Sequence, residues 1–229
     1  MIDIHSHVLP FVDDGSDGYE RSFNMLNESV KQGVTDIILT PHYKKMFHKT
    51  PAEIKEIFER FNALKNEKGI PINLFLGQEI FAHRDTADVL KAQKAMTLNG
   101  TNNVLVEYRV SDFSDIVESV YMLKNAGYNP IIAHAERYSY FTPLEVQEVK
   151  SMGGRIQVNA SSLIGKDGRA CKVRSRLLVK FGLVDFVASD SHFHRDNSMA
   201  KAYAFVKRKF GIETANKLFI ENAKEIIQG

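Results

Sequence analysis

The sequence contains a single cysteine, Cys171, in 229 residues. One cysteine excludes a disulfide within the chain and is compatible with a reducing cytoplasm. Long hydrophobic runs are also missing, since no apolar stretch approaches the roughly 18 residues of a membrane span. A strand-like segment that starts at Met1 leaves no room for a secretory leader. We therefore expect a cytoplasmic protein that is not inserted in a membrane.

The sequence also has no large excess of positive or negative charge. The net charge of +2 argues neither for nor against a nucleic-acid partner. Because the sequence has no basic cluster, we expect none. Hydrophobic residues make up 44% of the chain and charged residues 25%, which is ordinary for a globular protein. No linker, repeat or low-complexity tract divides the chain, and we expect one domain over residues 1–229.

The sequence does contain a series of short apolar runs, each closed by residue types that bind metals. Such runs are typical of buried parallel strands, and the carboxyl ends of these strands meet on one face of an α/β fold. We therefore expect a polynuclear metal site. The candidate ligands at the strand ends and in one loop are His5, His7, Asp14, His42, Glu79, Glu107, His134, Asp190 and His192.

Segments with helical periodicity separate the apolar runs. We expect helices at residues 19–30, 51–64, 85–94, 114–126, 142–153, 174–181, 199–209 and 212–227. About seven strand–helix repeats predict a parallel sheet. Because ligands on the first and last strands must reach each other, a distorted (β/α)7 barrel is favoured over an open sheet.

The ligand types limit the kind and number of ions. Imidazole and carboxylate without thiolate suit Mn, Fe or Zn. Nine ligands are too many for one ion and suffice for two or three. Two divalent ions would balance the four carboxylates, whereas a third leaves the cluster positive and able to attract an anion. Three ions therefore fit a phosphate-ester substrate best. We expect three other histidines, His48, His83 and His194, to be solvated loop residues.

Four motifs occur in a characteristic order: His5-Ser6-His7, Thr40-Pro41-His42, His134-Ala135-Glu136-Arg137 and Ser189-Asp190-Ser191-His192. With them, the chain resembles the PHP (polymerase and histidinol phosphatase) superfamily. Its length and its Val12-Asp13-Asp14-Gly15 loop make it similar to the bacterial manganese-dependent tyrosine-protein phosphatases of capsule and exopolysaccharide gene clusters. The resemblance implies a PHP-type, TIM-like (β/α)7 barrel.

The resemblance also implies three divalent ions, Mn²⁺ before Fe or Zn. Their ligands would be His5, His7, Glu79 and Asp190 for the first ion, Glu79, Glu107 and His134 for the second, and Asp14, His42 and His192 for the third. Arg137 and Arg195 would bind the phosphate as catalytic residues. The implied partner is the phosphotyrosine tail of a membrane-associated bacterial tyrosine kinase that regulates polysaccharide synthesis.

The implied reaction is hydrolysis of phosphotyrosine by a metal-bound hydroxide. A cysteine mechanism is not expected, because the C-x5-R loop of cysteine phosphatases would need arginine where this chain has Leu177. Aromatic residues near the ligands form a candidate rim for the substrate ring, with packing against the barrel as the alternative. They are Phe11, Tyr43, Phe47, Phe81, Tyr108, Tyr138 and Phe193.

Three other functions stay open at this point. A small-molecule enzyme such as a histidinol-phosphate phosphatase needs the same metals. A metal-dependent nuclease or proofreading-type domain is disfavoured by the absence of basic clusters. A catalytically inactive PHP-like binding module is disfavoured because all nine positions carry residue types able to bind metal. The sequence does not indicate an oligomeric state.

Overall fold

The computed structural model describes residues 1–195 and 197–228. The strands are β1 (Ile2–Ser6), β2 (Asp36–Leu39), β3 (His42–Tyr43), β4 (Asn73–Leu76), β5 (Glu79–Phe81), β6 (Asn103–Glu107), β7 (Asn129–Ile132), β8 (Arg155–Asn159) and β9 (Phe186–Ala188). The α-helices are α1 (Tyr19–Lys31), α2 (Pro51–Glu67), α3 (Thr86–Lys91), α4 (Ile116–Asn125), α5 (Pro143–Ser151), α6 (Ala160–Ile164), α7 (Gly168–Lys180), α8 (Met199–Phe210), α9 (Ile212–Asn216) and α10 (Asn222–Gln228). The chain alternates between strand and helix for much of its length, with consecutive strands at β2–β3 and β4–β5 and consecutive helices at α6–α7 and α8–α10.

The strands form two parallel sheets that continue into each other. One has the order β1-β2-β4 and the other β3-β5-β6-β7-β8-β9. Only two residues separate β2 from β3 and β4 from β5, and the breaks are side by side, because Gly77 N donates to Leu39 O (2.9 Å). Each broken pair therefore counts as one strand position, which gives the seven positions that the sequence predicted.

The two outer strands of this arrangement meet and close the ring. The segment after β9 pairs with β1: Asp190 N donates to His5 O (2.9 Å), and His7 N donates to Ser191 O (3.0 Å). The barrel is distorted on the opposite side, where β4 pairs with β2 alone among the described strands while β5 continues to β6. The prediction of a distorted (β/α)7 barrel is confirmed.

Apolar side chains fill the barrel below the strand ends. Ile2, Ile4, Leu105 and Ile131 are almost fully buried there. The C-terminal segment closes the bottom, since Ile226 of α10 belongs to the same cluster. Burial of this interior and of the larger layer between sheet and helices provides the main driving force for folding. It leaves the carboxyl ends of the strands as the open, polar end of the barrel.

The helix predictions are mostly confirmed. Thr142 forms the expected capping box with Glu145 before Pro143, and an equivalent box at Thr50 begins α2. Two differences concern boundaries and one concerns an additional helix. The helix expected at 85–94 is the shorter α3, α7 begins six residues before 174, and α6 was not predicted.

The helix expected at 212–227 is interrupted by a π-helical turn at Lys217–Glu221 between α9 and α10. No helix in the described ranges is long and apolar enough to cross a membrane.

Candidate metal centre

All nine candidate ligands lie together at the carboxyl end of the barrel. His5 belongs to β1, His7 follows it, and Asp14 lies in the loop between β1 and α1. The other ligands begin β3 or β5, end β6, or follow β7 and β9. Eight of the nine residues are buried, and only Asp14 is exposed. The convergence inferred from the strand ends is therefore present in the structure.

Glu79 lies at the centre of the histidines. Its Oε1 is 2.8 Å from His134 Nε2 and 3.4 Å from His5 Nε2. Its Oε2 is 2.8 Å from His42 Nδ1 and 3.4 Å from His7 Nε2. Burial opposes ionisation of this carboxyl, yet His5 and His42 hold its pKa well below the ordinary value. A carboxylate that faces four imidazoles is placed as a bridging ligand would be.

Asp190 joins the histidines of β1 to both candidate arginines. Its Oδ1 lies 3.5 Å from His5 Nε2 and 3.6 Å from His7 Nε2. Its Oδ2 accepts from Arg137 and Arg195, each at 3.0 Å. The residue has a φ of 50°, a left-handed conformation that is uncommon outside glycine and favours Asn and Asp among other residues. Both sequence-predicted arginines therefore reach the same carboxylate.

Asp14 approaches the centre from the loop after β1. Its Oδ1 lies 3.7 Å from His42 Nε2 and 3.8 Å from His192 Nε2. Burial and the facing His7 oppose protonation of His42, but Glu79 and Glu107 raise its pKa to about 9. Burial and His7 instead lower the pKa of His192 to about 4. The third predicted ligand group is thus assembled as well.

The donor set fits divalent metal ions. Ligand atoms of His5, His7 and Asp190 lie within 4.8 Å of one another, and so do those of His42, Glu79 and Glu107. Among the described residues, the buried atoms His42 Nδ1, Glu79 Oε2 and Glu107 Oε1 make no well-aligned hydrogen bond, although His42 Nδ1 lies 2.8 Å from Glu79 Oε2 and 3.2 Å from Glu107 Oε1. Buried polar atoms usually make such bonds, and these three atoms are of the types that bind Mn, Fe and Zn.

The structure gives three residues a role as partners of the histidine ligands that the sequence analysis did not assign to them. Asp13 Oδ2 lies 2.7 Å from His7 Nδ1. Gln157 Oε1 lies 3.1 Å from His5 Nδ1, and Tyr138 Oη is 3.1 Å from His134 Nδ1. Each contact leaves the other ring nitrogen facing the centre, which is how outer partners orient metal-binding histidines. The one available signal was Gln157 itself, a polar residue inside the apolar run of β8.

A lysine also borders the centre. Lys44 follows β3 by one residue and pairs with Glu107 Oε1. Its Nζ lies 3.4 Å from His42 Nε2. Arg137 and Arg195 lie on Asp190, so the structure places cations at two separate carboxylates of the centre.

The prediction of an aromatic rim is wrong for two of its members. Tyr108 and Tyr138 are only 3% and 0% exposed and pack in the core, with the Tyr138 hydroxyl accepting from Tyr108 N at 3.0 Å. The other rings remain accessible to differing degrees: Phe47 stacks on His42 at 5.8 Å, and Phe11 and Phe193 are about half exposed.

The expectations for the remaining histidines and for the cysteine agree with the structure. His48, His83 and His194 are exposed. Burial and Glu136 raise the pKa of the Cys171 thiol. A raised pKa lowers the fraction of thiolate, the nucleophilic form, which is unfavourable for Cys171 as a nucleophile.

Comparison with known proteins identifies the family. The model of the CpsB/CapC family, capsular polysaccharide synthesis, matches residues 1–228. The chain belongs to this family. This chain is 36% identical to the tyrosine-protein phosphatase CpsB of Streptococcus agalactiae, over 100% of this chain and 98% of the relative. It is 32% identical to the tyrosine-protein phosphatase YwqE of Bacillus subtilis, over 100% and 92%.

Solved structures agree with this assignment. The CpsB/CapC chain superposes with a TM-score of 0.93 and 32% identity on a structure from work on Bacillus subtilis YwqE and Streptococcus pneumoniae CpsB, described as unique metal-dependent tyrosine phosphatases. The match covers 100% of this chain and 94% of the other. Histidinol phosphate phosphatase of Lactococcus lactis matches at a TM-score of 0.59 with 17% identity, over 95% and 94%. That second likeness shows the fold alone. The resemblance inferred from the sequence motifs is confirmed.

Proposed function

We propose that this CpsB/CapC protein is a metal-dependent phosphatase that hydrolyses phosphotyrosine in proteins. The observation that carries the proposal is the cluster around Glu79, where buried histidines and carboxylates lie beside two arginines on Asp190. The curated relatives named tyrosine-protein phosphatases support it over the full length of the chain. We further propose that residues 1–229 act as a single PHP phosphatase domain.

Three divalent ions, with Mn²⁺ as the first candidate, would be held by the nine predicted ligands. His5, His7, Glu79 and Asp190 would hold the first, and Glu79 would be shared with a second at Glu107 and His134. Asp14, His42 and His192 would hold the third. When bound, such ions supply a nucleophile by lowering the pKa of water and neutralise charge on the ester.

The chain's own residues position the phosphate. The side chains of Arg137 and Arg195 are 21% and 37% exposed, so both remain accessible from the open end of the barrel. A guanidinium carries five N–H donors in a fixed fork, and the bond to Asp190 uses only one donor of each. Within residues 1–195 and 197–228 the two guanidiniums make no other hydrogen bond, so their remaining donors can bind phosphate oxygens in pairs. The shared carboxylate keeps both arginines at the same edge of the centre.

Oriented imidazoles are the second contribution of the chain. Asp13 and Gln157 accept from the outer nitrogens of His7 and His5, which keeps the proton on Nδ1 and leaves Nε2 as the ligand atom. No protein nucleophile is required, because phosphoryl transfer depends mainly on positioning and charge stabilisation.

The physiological partner is proposed to be the phosphotyrosine tail of a membrane-associated tyrosine kinase that regulates capsular or exopolysaccharide synthesis. The family's link to capsular polysaccharide synthesis supports this proposal. Such a tail would be met in the cytoplasm, where we propose that the protein works.

The test is a phosphatase assay on a phosphotyrosine peptide with Mn²⁺, with and without chelator. We expect activity that is lost with the chelator, restored by Mn²⁺ and retained in Cys171→Ser. Arg137→Ala should lower kcat/KM at least tenfold, because paired charge-assisted hydrogen bonds to the phosphate are removed. Faster turnover of histidinol phosphate than of the peptide would favour a small-molecule enzyme instead. Activity that survives the chelator but not Cys171→Ser would refute the proposal.

A further inference from the structure

An open cavity of about 1540 Å³ lies beside the metal centre and has no role in the chemistry described so far. We call it the lateral groove. Its floor is β4, whose Leu74, Phe75 and Leu76 are only partly buried. The segment after β3 with the start of α2 forms one wall, and α3 with the residues that follow it forms the other.

The lateral groove is continuous with the metal centre through two residues. Phe47 lines the groove and stacks on the His42 ring, with centroids 5.8 Å apart. Lys44 also lines it and pairs with Glu107. A chain whose phosphotyrosine enters the centre past these two side chains can therefore continue along the groove.

The charge of the lateral groove is strongly one-sided. Five lysines line it, against two carboxylates, Glu59 and Asp85. Lys45, Lys55 and Lys94 are exposed, and in residues 1–195 and 197–228 none of the three has a carboxylate within ion-pair distance. The whole chain has a net charge of only +2, so the lysines in the groove represent a local concentration of positive charge. Such a surface attracts acidic ligands.

The shape favours a peptide over other anions. An apolar floor formed by a strand that pairs on one side only among the described strands is the kind of surface that receives an extended peptide. The wall that carries Lys44, Lys45, Lys49 and Lys55 would then select acidic side chains by charge. The occupant that combines these features is a protein segment, since its backbone can follow β4 while its side chains meet lysines.

We infer that the lateral groove binds the acidic residues flanking the phosphotyrosine of the substrate. The inference rests on the proposed function for the phosphate at the centre. It adds a specificity site that acts on the substrate chain rather than on the scissile group.

The test compares two phosphotyrosine peptides of equal length, one flanked by glutamates and one by serines. The groove variant is Lys45→Glu/Lys55→Glu/Lys94→Glu. The matched control is Lys201→Glu/Lys207→Glu/Lys224→Glu, which changes the net charge equally at exposed lysines outside the groove. We expect the ratio of kcat/KM values to favour the glutamate peptide, to fall about tenfold in the groove variant and to fall with added salt.

A ratio that is unchanged in the groove variant, or that falls equally in the control, would overturn the inference. A binding measurement separates it from the proposed function. Fluorescence anisotropy with a glutamate-flanked peptide carrying a non-hydrolysable phosphotyrosine mimic, in chelator, needs no turnover. Weaker binding by the groove variant alone supports the groove even if the protein proves inactive on phosphotyrosine. A single-stranded oligonucleotide that binds more tightly than the peptide and loses binding in the same variant would assign the groove to a polyanion instead.

Discussion

Replacement of Asp13 by asparagine tests whether the metal centre depends on a carboxylate outside the predicted ligand set. Asp13 Oδ2 accepts from His7 Nδ1 at 2.7 Å and from His42 N at 2.9 Å. Its Oδ1 accepts from Gly15 N at 2.9 Å. Three donors therefore converge on one carboxylate, and two of them belong to residues of the proposed centre.

The size of the effect follows from this geometry. Asparagine offers one acceptor oxygen and one NH₂ donor, so either orientation sets NH₂ against an N–H. If NH₂ faces His7, the imidazole proton must move to Nε2, the atom 3.4 Å from Glu79 Oε2. If it faces Gly15, a part-buried hydrogen bond is lost, at a cost of about 1–3 kcal/mol. Loss of an outer partner typically weakens metal binding about 10–100-fold, or about 1.4–2.7 kcal/mol, and we predict a loss of Mn²⁺ affinity in this range for Asp13→Asn.

The assay is a titration of Mn²⁺ in competition with a chromophoric chelator. Asp17→Asn is the control, since it removes the same charge from an exposed side chain paired with Arg21 at 2.9 Å. We expect the control to bind Mn²⁺ as the parent does. Unchanged affinity in Asp13→Asn would refute the orienting role, and an equal loss in both variants would show that charge alone is responsible.

Three further predictions concern the loop, a helix cap and pH. Gly15→Ala should lower phosphatase activity at least tenfold, because the added Cβ would lie 2.0 Å from His7 O. Gly18→Ala is the control, since the atoms nearest to its added Cβ are 4.0 Å away. Equal activity of the two variants would contradict the prediction. Thr142→Ala should lower the free energy of unfolding by about 1 kcal/mol in chemical denaturation without affecting activity. The pKa of His42 lies at about 9, above the ordinary 6.5. Protonated His42 therefore contributes to the free energy of unfolding, measured in chelator, below pH 6.5, and this contribution is lost as the pH rises towards 9. Mn²⁺ affinity should rise over the same pH range, because the metal binds the neutral imidazole. Denaturation and titration at several pH values check both trends, and flat profiles would contradict them.

Much of the site could be predicted because the relevant signals are local. An apolar run followed by His42 or Glu79 identifies both a strand and a ligand within a few residues. In parallel sheets the direction of each strand fixes which end faces the site. The cap at Thr142 and Pro143 is local in the same way and was predicted correctly.

Tyr108 and Tyr138, predicted at the rim but buried in the core, show what residue spacing cannot predict. Tyr138 follows a ligand closely in sequence, but His134 adopts a φ of 34° and a short 3₁₀ turn follows it. That turn directs the Tyr138 ring into the core, where its hydroxyl contacts His134 Nδ1. Side-chain direction after a strand depends on backbone angles that residue spacing does not reveal.

Residue types alone were sufficient to name the metal-binding atoms, since imidazole and carboxylate keep their chemistry wherever the chain places them. The partners of these atoms required the closed barrel. Gln157 contacts His5 across 152 positions, and Asp190 reaches the histidines of β1 only because the segment after β9 pairs with β1. The lateral groove depends on the distortion at the opposite side of the barrel, where β4 pairs with β2 alone among the described strands. Contacts between distant strands are set by how the whole ring packs, and no short stretch of sequence carries that information.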